Sequence, residues 1–381
     1  MKVVKFGGSS LSNTDKILHA KNIIEQDKGR RFVVVSAPGK DENFRQKITD
    51  LLIEGHAEMC HKQNLDIKDN LPEPSAVRTG LFHVKSVEAS KSISAAIARF
   101  EWLAEGLKID ISREIERLRE ELEINKCTRD FVVSRGEYFM ALIFARVMNY
   151  KFVDAAKYIV INNRGRVDEA ETKRRLETLR KDIERQGIVM GGFYGTSLNG
   201  GVKTFDRGGS DYTGAVVAAL KGATVYENFT DTHGVQTADP TIVCDTLPIP
   251  RLDYGTLHKL ATAGASVIYP DCLPLLKRYG VPLVIDNTAN PGKRFTTISC
   301  QRSCEAFFSI TYQLKQNINK HTADILCVFS KIDIELDALK NALDGHEVYL
   351  TNFAKGEVRL IASAGELGDV VGKLHGLMLN K

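Results

Sequence analysis

Pairs of glycine residues occur where the sequence predicts that strands end or helices begin. Gly7-Gly8 follows the strand-like run Val3–Phe6, Gly191-Gly192 follows a later apolar run, and Gly208-Gly209 precedes an apolar helix pattern. Junctions of this kind expose backbone N–H groups and helix N-termini, which bind phosphate. A single pair is as well explained by a tight turn, but three pairs at similar junctions favour a phosphate-binding site.

Lys5 lies in that first strand-like run, two residues before Gly7. From this position its ammonium group could reach a transferred phosphoryl group, and burying it without an anionic partner would be unfavourable. The sequence contains neither GxxxxGK[ST] nor a GxGxxG that opens a helix. A P-loop NTPase and a Rossmann oxidoreductase are therefore poorly supported.

Charged side chains lie at two further turns. Arg207, beside the third glycine pair, could bind a carboxylate with its guanidinium fork, whereas Ser210 or Asp211 could merely cap the following helix. Glu137 ends the run Ser134–Glu137, which has the character of an exposed turn. By itself this run predicts a surface cap rather than a ligand for an ammonium group.

The composition is that of a globular protein. The 381 residues are 43% hydrophobic and 26% charged, with a formal net charge of +4, which excludes a mainly disordered, collagen-like or coiled-coil chain. A basic stripe that would predict a nucleic-acid partner is missing, and no apolar run approaches the ~20 residues of a membrane helix. The seven scattered cysteines, without CxxC, favour reduced thiols over a disulfide framework or a zinc site. We expect a cytoplasmic protein that begins directly with its first strand and has no signal peptide.

Short β-branched runs alternate with amphipathic stretches as far as about residue 298. Continuous apolar runs are typical of strands that are covered on both faces. They predict strands at Val3–Phe6, Phe32–Ser36, Tyr158–Ile161, Ile188–Gly192, Thr224–Glu227 and Leu283–Asp286. Apolar spacings of three and four predict helices over 111–122 and 176–183. The alternation indicates an α/β fold, a three-layer αβα sandwich around a mostly parallel sheet.

Beyond residue 300 the pattern changes. Strand-like runs at Phe307–Tyr312 and Ala323–Phe329 precede a short helix pattern, two more strand-like runs and a last helix pattern. This order indicates a small α+β module, although no obvious closing strand follows its last helix. We therefore predict one domain over residues 1–300 and a module over residues 305–381.

Together the motifs resemble those of the aspartokinases, within the wider amino-acid kinase family. The clearest is KFGGSS at residues 5–10. The others are VVVSAPGK at 33–40, Ser134–Glu137, Arg207–Tyr212, Phe229–Asp231 with Gly234, Ala238–Pro240, Gly264–Ile268 and Asn287-Thr288. The resemblance covers most of residues 1–298, and the motifs occur in the family order.

The resemblance implies phosphorylation of the β-carboxylate of L-aspartate by MgATP to give 4-phospho-L-aspartate, the first step towards lysine, threonine and methionine. For the nucleotide it implies contacts from Lys5, Gly7, Gly8, Ser9, Thr230, Asp231, Gln236 and Ser266. For L-aspartate it implies Ser36, Thr49, Glu137, Arg207 and Ser210. Among these, Glu137 would bind the ammonium group and Arg207 the α-carboxylate. Catalysis would rest on Lys5 and on Asp211, which would organise that lysine.

The chemistry agrees with those residue types. A carboxylate is already ionised at neutral pH, so no general base is required. The obstacle is its repulsion by the polyanionic γ-phosphate, which cations, backbone donors and in-line positioning can overcome. Lys5, Mg²⁺ and the N–H groups of the glycine turn would supply these.

Several positions depart from the usual family pattern. Ser266 stands where many members have a phosphate-contacting lysine, Gln236 replaces a tyrosine, and Thr241 replaces an arginine. Whether Lys40 or Lys259 supplies the missing charge is left open. The module over 305–381 is also shorter than the two ACT modules of regulated members, which argues against feedback control and favours a role in a homodimer.

Two alternatives to an aspartate kinase therefore remain. One is a kinase of the same fold that acts on another amino acid or carboxylate. The other is a non-catalytic sensor that binds aspartate. The acceptor specificity would separate the first alternative, and binding without turnover would identify the second.

Overall fold

The computed structural model describes residues 1–69, 90–123, 127–206, 208–293, 295–301, 305–317 and 320–379. By packing, the chain forms two compact units, Met1–Lys221 and Gly222–Lys381. The domain boundary that the sequence places near residue 300 is a different kind of division and stays a prediction.

The first unit alternates strands with helices. Its strands are β1 Lys2–Phe6, β2 Arg30–Val35, β3 Lys151–Val153, β4 Val160–Ile161, β5 Ile188–Gly191, β6 Tyr194–Ser197 and β7 Val202–Thr204. Its helices are α1 Thr14–Glu25, α2 Ile48–Asp69, α3 Lys91–Gly106, α4 Ser112–Glu123, α5 Arg129–Met148, α6 Glu169–Glu177, α7 Arg180–Arg185 and α8 Gly209–Leu220. The main strands run parallel in the order β3-β5-β2-β1.

Both faces of these parallel strands are covered. Val3, Val4 and Phe6 are fully buried in β1, and residues 32–35 are fully buried in β2. Because successive side chains of a strand point to opposite faces, burial of successive residues requires helices on both sides. Helices α5 and α8 both pack on β2. The predicted α/β fold with a mostly parallel sheet is therefore confirmed.

Two local predictions in this unit are wrong. The predicted strand Tyr158–Ile161 is reduced to β4, because residues 155–157 form a 3-10 turn that the Asp154 carboxylate caps. Strand β4 then pairs with β6 in a separate small sheet. The predicted helix over 176–183 is divided into α6 and α7, and the Thr178 hydroxyl donates a hydrogen bond to the Arg175 carbonyl at the break.

The second unit contains a partly parallel sheet and an antiparallel one. Its strands are β8 Val225–Thr230, β9 Arg251–Asp253, β10 Leu283–Asn287, β11 Thr296–Ser299, β12 Phe307–Asn317, β13 Lys320–Ser330, β14 Val348–Ala354 and β15 Glu357–Ser363. Its helices are α9 Tyr254–Thr262, α10 Cys272–Tyr279, α11 Leu336–Ala342 and α12 Leu367–Leu379. Strands β8 and β10 are parallel, whereas β12-β13-β15-β14 is antiparallel throughout.

The closing strand of the antiparallel sheet comes from its N-terminal side. The order β12-β13-β15-β14 is that of a β-α-β-β-α-β sheet in which β12 occupies the place of the last strand. The predicted strand and helix order of this module is confirmed, and β12 explains why no closing strand was evident after α12.

A short segment of the second unit, Val235–Asp239, is fastened to the antiparallel sheet and to α12. The Ile310 N–H donates to the Thr237 carbonyl at 2.8 Å, and the Thr237 hydroxyl oxygen lies 2.9 Å from His375 Nε2. Thr237 and His375 are only 5% and 3% exposed. Burial lowers the pKa of His375, against an opposing effect of Asp245, so the ring is neutral at neutral pH.

The six cysteines that the structure describes are free, and burial raises the pKa of Cys327 to about 12. Among the helices of the described ranges, none has the length and apolar character needed to cross a membrane.

We expect Thr237→Val to lower the free energy of unfolding by about 2 kcal/mol, because it leaves the buried His375 ring and the Leu247 N–H without their hydroxyl partner. Urea unfolding followed by circular dichroism measures this loss. The single tryptophan lies in the first unit, so its fluorescence would not report directly on the unit that contains Thr237. Thr351→Val is the matched control, because its hydroxyl hydrogen bond lies on the exposed strand β14. Equal losses in the two variants would contradict the assignment.

Candidate functional site

A cavity of about 280 Å³ in the first unit brings together six of the predicted site residues. Its lining consists of Lys5, Ser36, Thr49, Glu137, Phe193, Gly208, Gly209, Ser210 and Asp211. These residues come from β1, from the ends of β2 and β5, and from α2, α5 and α8 or the turns before them. Residues far apart in the sequence therefore meet at the carboxyl ends of the parallel strands.

An ion pair between Lys5 and Asp211 forms one wall of this cavity. Lys5 Nζ lies 2.7 Å from Asp211 Oδ1, and the two side chains are only 10% and 17% exposed. Helix α8 begins after Gly208, whose φ of 58° is left-handed and whose lack of a side chain leaves no side-chain cap. Asp211 is thus a partner of Lys5 rather than the helix cap that the sequence allowed. The first turn of a helix also favours its negative charge.

The predicted exposed turn at Ser134–Glu137 is wrong. These residues lie inside α5 and are all buried. The polar groups of Ser134 and Arg135 find partners within the helix: the Ser134 hydroxyl donates to the Phe131 carbonyl at 2.7 Å, and the Arg135 guanidinium lies 4.4 Å from the ring centres of both Phe131 and Tyr138. Because α5 is apolar on nearly every side, it is a core helix that carries a few polar residues inward.

Glu137 is therefore a buried carboxyl group facing the cavity. It is 4% exposed, and its Oε2 has no hydrogen-bond partner within the part of the chain that the structure describes. Burial raises the pKa of Glu137 to about 8, against a backbone hydrogen bond from Ala37 that lowers it. At neutral pH this group is mostly protonated, and an arriving cation would ionise it.

Two glycines at the end of β5 allow α5 and α8 to converge on this cavity. A Cβ atom on Gly191 would lie 2.8 Å from the Glu137 carbonyl oxygen, and one on Gly192 would lie 2.6 Å from Ser210 Cα. Only glycine permits such close approach. The chain continues from Gly192 into β6 rather than into a helix, so the predicted strand–glycine–helix junction is wrong at this pair.

Phe193 is a lining residue that sequence reasoning missed. Its φ of 72° is left-handed, which is a strained conformation for a bulky residue. The Thr213 hydroxyl accepts a hydrogen bond from its N–H at 3.2 Å, and its carbonyl accepts one from the Phe205 N–H at 2.9 Å. Its position directly after a glycine pair was the only sequence signal.

The first glycine turn packs closely against the chain that follows β2. The Gly39 N–H donates to the Gly8 carbonyl at 2.8 Å, and a Cβ atom on Gly8 would lie 2.5 Å from the Ala37 carbonyl oxygen. Residues 8–11 form a 3-10 turn with Gly7 as its N-cap. Gly7, Gly8 and Ser9 therefore form a tight, half-exposed turn directly after the strand that carries Lys5.

The remaining predicted nucleotide residues lie in the second unit. Thr230 ends β8, and the Thr288 N–H donates to its carbonyl at 2.8 Å. The Asp231 carbonyl accepts a hydrogen bond from the Asn287 side chain at 2.8 Å. Gln236 bridges to Pro248 through its backbone, and its side-chain amide donates to the His233 carbonyl.

Ser266, which replaces the family lysine, and the two lysines considered as substitutes for it are all exposed. Ser266 is exposed, and its hydroxyl donates to the Gly264 carbonyl at 3.4 Å. Lys40 is also exposed, and Lys259 Nζ lies 2.9 Å from Glu357 Oε2. Arg207, the predicted carboxylate clamp, lies outside the described residues.

Sequence comparison relates this chain to a family of kinases. The model of the amino acid kinase family matches residues 1–287. Aspartokinase 3 of Bacillus subtilis is 35% identical over 322 residues, which are 79% of this chain and 64% of that protein. A bifunctional aspartokinase/homoserine dehydrogenase of Haemophilus influenzae is 28% identical over 76% of this chain and 35% of its own length. The chain thus spans less than two thirds of the length of these curated relatives.

Solved structures share the fold over the whole chain. The aspartate kinase of Clostridium acetobutylicum has a TM-score of 0.79 and 23% identity, covering 99% of this chain and 100% of its own. Aspartokinase III of Escherichia coli, in complex with aspartate and ADP, has a TM-score of 0.78 and 19% identity and covers both chains completely. At these identities the likeness concerns the fold.

We expect Glu137→Gln to stabilise the protein, and increasingly so at higher pH. The pKa of Glu137 is about 8 when folded against 4.5 as its ordinary value, so its contribution to stability is complete below pH 4.5 and is lost as pH rises through 8. The stability difference between variant and wild type should therefore widen by roughly 3 kcal/mol from pH 5.5 to pH 8.5.

Urea unfolding followed by the fluorescence of Trp102 reports on the unit that contains Glu137. Glu116→Gln, on the exposed side of α4, is the control and should show no such widening. A difference that stays constant with pH would show that Glu137 is ionised in the folded protein.

Proposed function

Because the chain belongs to the amino acid kinase family, we propose that it phosphorylates the β-carboxylate of L-aspartate with MgATP to give 4-phospho-L-aspartate. One observation supports this above the others. A single cavity of about 280 Å³ combines a buried lysine–aspartate pair with a buried carboxyl group, Glu137. The first suits phosphoryl transfer, and the second suits an acceptor that carries an ammonium group.

The acceptor would be held by groups of opposite character. Glu137 would bind the ammonium group, which supplies the positive partner that its buried Oε2 lacks among the described residues. The hydroxyl groups of Ser36, Thr49 and Ser210 line the same cavity and can donate hydrogen bonds to carboxylate oxygens. We assign the α-carboxylate to Arg207 on the resemblance alone.

Phosphoryl transfer would then depend on charge and position. A β-carboxylate oxygen attacks the γ-phosphorus, the new O–P bond forms, and the bond to the β-phosphate oxygen breaks with its electron pair leaving on ADP. Lys5 would stabilise the negative charge of the transferring group, while Asp211 Oδ1 holds the Lys5 ammonium group in place at 2.7 Å. The N–H groups of the Gly7–Ser9 turn would add neutral donors.

On the resemblance alone, we propose Thr230, Asp231, Gln236 and Ser266 as further contacts of the nucleotide. The described residues contain no group of three or more His, Cys, Asp or Glu side chains placed to hold a metal ion. We propose that Mg²⁺ enters bound to the phosphates of ATP, where it would neutralise part of their charge.

We also propose that residues 1–300 are the kinase domain, that residues 305–381 are an ACT-like module, and that this module forms a homodimer. Strand β14 supports the last point, because it is a terminal strand of its sheet and most of its residues are exposed. Tyr349, Leu350 and Phe353 on this strand are 59%, 41% and 38% exposed. An apolar strand edge of this kind is suited to pairing with a second copy.

The direct test is acyl phosphate formation with different acceptors, trapped by hydroxylamine in the presence of MgATP. We expect product with L-aspartate, and a rate at least about 100-fold lower with succinate or N-acetyl-L-aspartate, because neither offers Glu137 a cation. Equal rates with succinate would contradict the role of Glu137. Product from another amino acid but none from L-aspartate would overturn the proposed substrate.

Lys5→Met should lower kcat about 10³-fold or more and change the dissociation constant of L-aspartate less than about threefold, because its charge acts on the transferring group. Lys2→Met is the matched control, since Lys2 lies on the same strand but pairs with Asp27 and is 31% exposed. Steady-state kinetics and calorimetry measure the two quantities. Parallel losses of kcat and aspartate affinity would reject this role for Lys5.

A further inference from the structure

A fully buried arginine lies behind the loops that border the candidate site. Arg99, on α3, has no exposed surface and is the largest of the fully buried side chains. Its Nη1 donates to the Gln46 carbonyl at 3.0 Å, and its Nη2 donates to the carbonyls of Ser12, at 3.2 Å, and Gly39. The guanidinium also lies 4.5 Å from the centre of the Phe44 ring.

This charge is held in an unusual way. Within the described residues, no carboxylate lies within ion-pair distance of Arg99, and its Nε has no partner. Burial lowers the pKa of Arg99, against an opposing effect of the more distant Asp41. A buried charge with carbonyl partners alone is costly. An apolar side chain could fill the same space at a lower cost. Packing alone therefore does not account for an arginine here, and its hydrogen bonds to the carbonyls must have another role.

The three carbonyl groups belong to two segments that border the phosphate-binding turn. Ser12 directly follows the 3-10 turn over residues 8–11, whereas Gly39 and Gln46 belong to the loop between β2 and α2. These segments also meet directly, through the hydrogen bond from the Gly39 N–H to the Gly8 carbonyl. Arg99 therefore bridges the two sides of this contact from within the core.

We propose that Arg99 is a positioning residue that fixes the segments 7–12 and 37–46 relative to each other, so that the N–H groups of the glycine turn point at the transferred phosphate. This rests on the proposed phosphoryl transfer. The guanidinium suits the task because its planar fork can reach several carbonyls in fixed directions. A lysine keeps the charge but presents it at a single point.

A purely stabilising Arg99 would behave differently. Its replacement would lower the melting temperature, but the folded molecules would turn over at the normal rate. For a positioning residue, a shift of about 1 Å in the turn can lower the rate about 100-fold. The dissociation constant of L-aspartate should change less than kcat does, because Glu137 and Ser210 lie on helices to which Arg99 donates none of its described hydrogen bonds, although a backbone hydrogen bond from Ala37 links Glu137 to the segment 37–46.

Arg99→Lys is the first test, in the full chain. We expect kcat per folded molecule to fall about 30- to 100-fold, and the dissociation constant of L-aspartate to rise by a clearly smaller factor. Arg119→Lys is the matched control, because Arg119 is 48% exposed on α4 and pairs with Glu101. A normal kcat in Arg99→Lys, whatever its melting temperature, would overturn the proposal.

Gly39→Ala tests the same contact without changing Arg99. Its Cβ atom would lie 2.7 Å from the Gly8 carbonyl carbon and 2.8 Å from the Ser9 N–H nitrogen, so it must separate the two segments. We expect a similar fall in kcat. Because both changes disturb the same contact, kcat of the double variant should lie within about threefold of that of the slower single variant. If Arg99→Lys does not fold, a normal kcat in Gly39→Ala overturns the proposal.

Amide hydrogen exchange provides a readout that needs no turnover. In both variants, peptides spanning 7–12 and 37–46 should lose protection at least tenfold, while peptides from α5 keep theirs. If the wild-type protein forms no acyl phosphate from L-aspartate, the proposed function fails. The role of Arg99 would then be tested by the loss of exchange protection in the variants, together with their weaker binding of ADP measured by calorimetry. Unchanged protection in both segments would overturn it.

Discussion

The candidate site is organised by the burial of one positive charge at the end of a parallel strand. A nearly buried ammonium group is stable only with an anion in good geometry. Asp211 meets this requirement because α8 begins at Gly208, and Gly192 lets the start of that helix approach β5 closely. The position of Lys5 thus requires α8 to begin after Gly208 and requires glycine at residues 192 and 208.

Three buried charged or chargeable groups around this site are stabilised in three different ways. Lys5 has a carboxylate partner, Glu137 is held mostly protonated, and Arg99 is surrounded by carbonyl oxygens. Of the three, only Glu137 presents to the cavity an oxygen that has no partner among the described residues. The protonated Glu137 leaves a place for a cation in the cavity wall, so the proposed selection of an acceptor with an ammonium group and the expected loss of stability at high pH would have the same origin.

The sequence predicted the parallel strands, the helix after Gly208-Gly209 and the need of a buried Lys5 for an anionic partner, because continuous apolar runs and glycine turns are local signals. It misplaced Ser134–Glu137, since polar residues in a core helix have the composition of a turn, and only the burial of neighbouring residues distinguishes the two. Phe193 was missed for a related reason. Its left-handed φ results from contacts with Thr213 and Phe205, which are distant in the sequence.

The early position of β12 has a consequence for how the antiparallel sheet is assembled. In a β-α-β-β-α-β order the closing strand is made last and must pair with the first strand across the whole module. Here β12 pairs with β13, its next neighbour along the chain, and β14 pairs with β15 in the same way. Only the pairing of β13 with β15 spans a helix. Most pairings in this sheet are therefore local, which favours fast folding. All four strands are also synthesised before α12, so the sheet can pair before that helix is made.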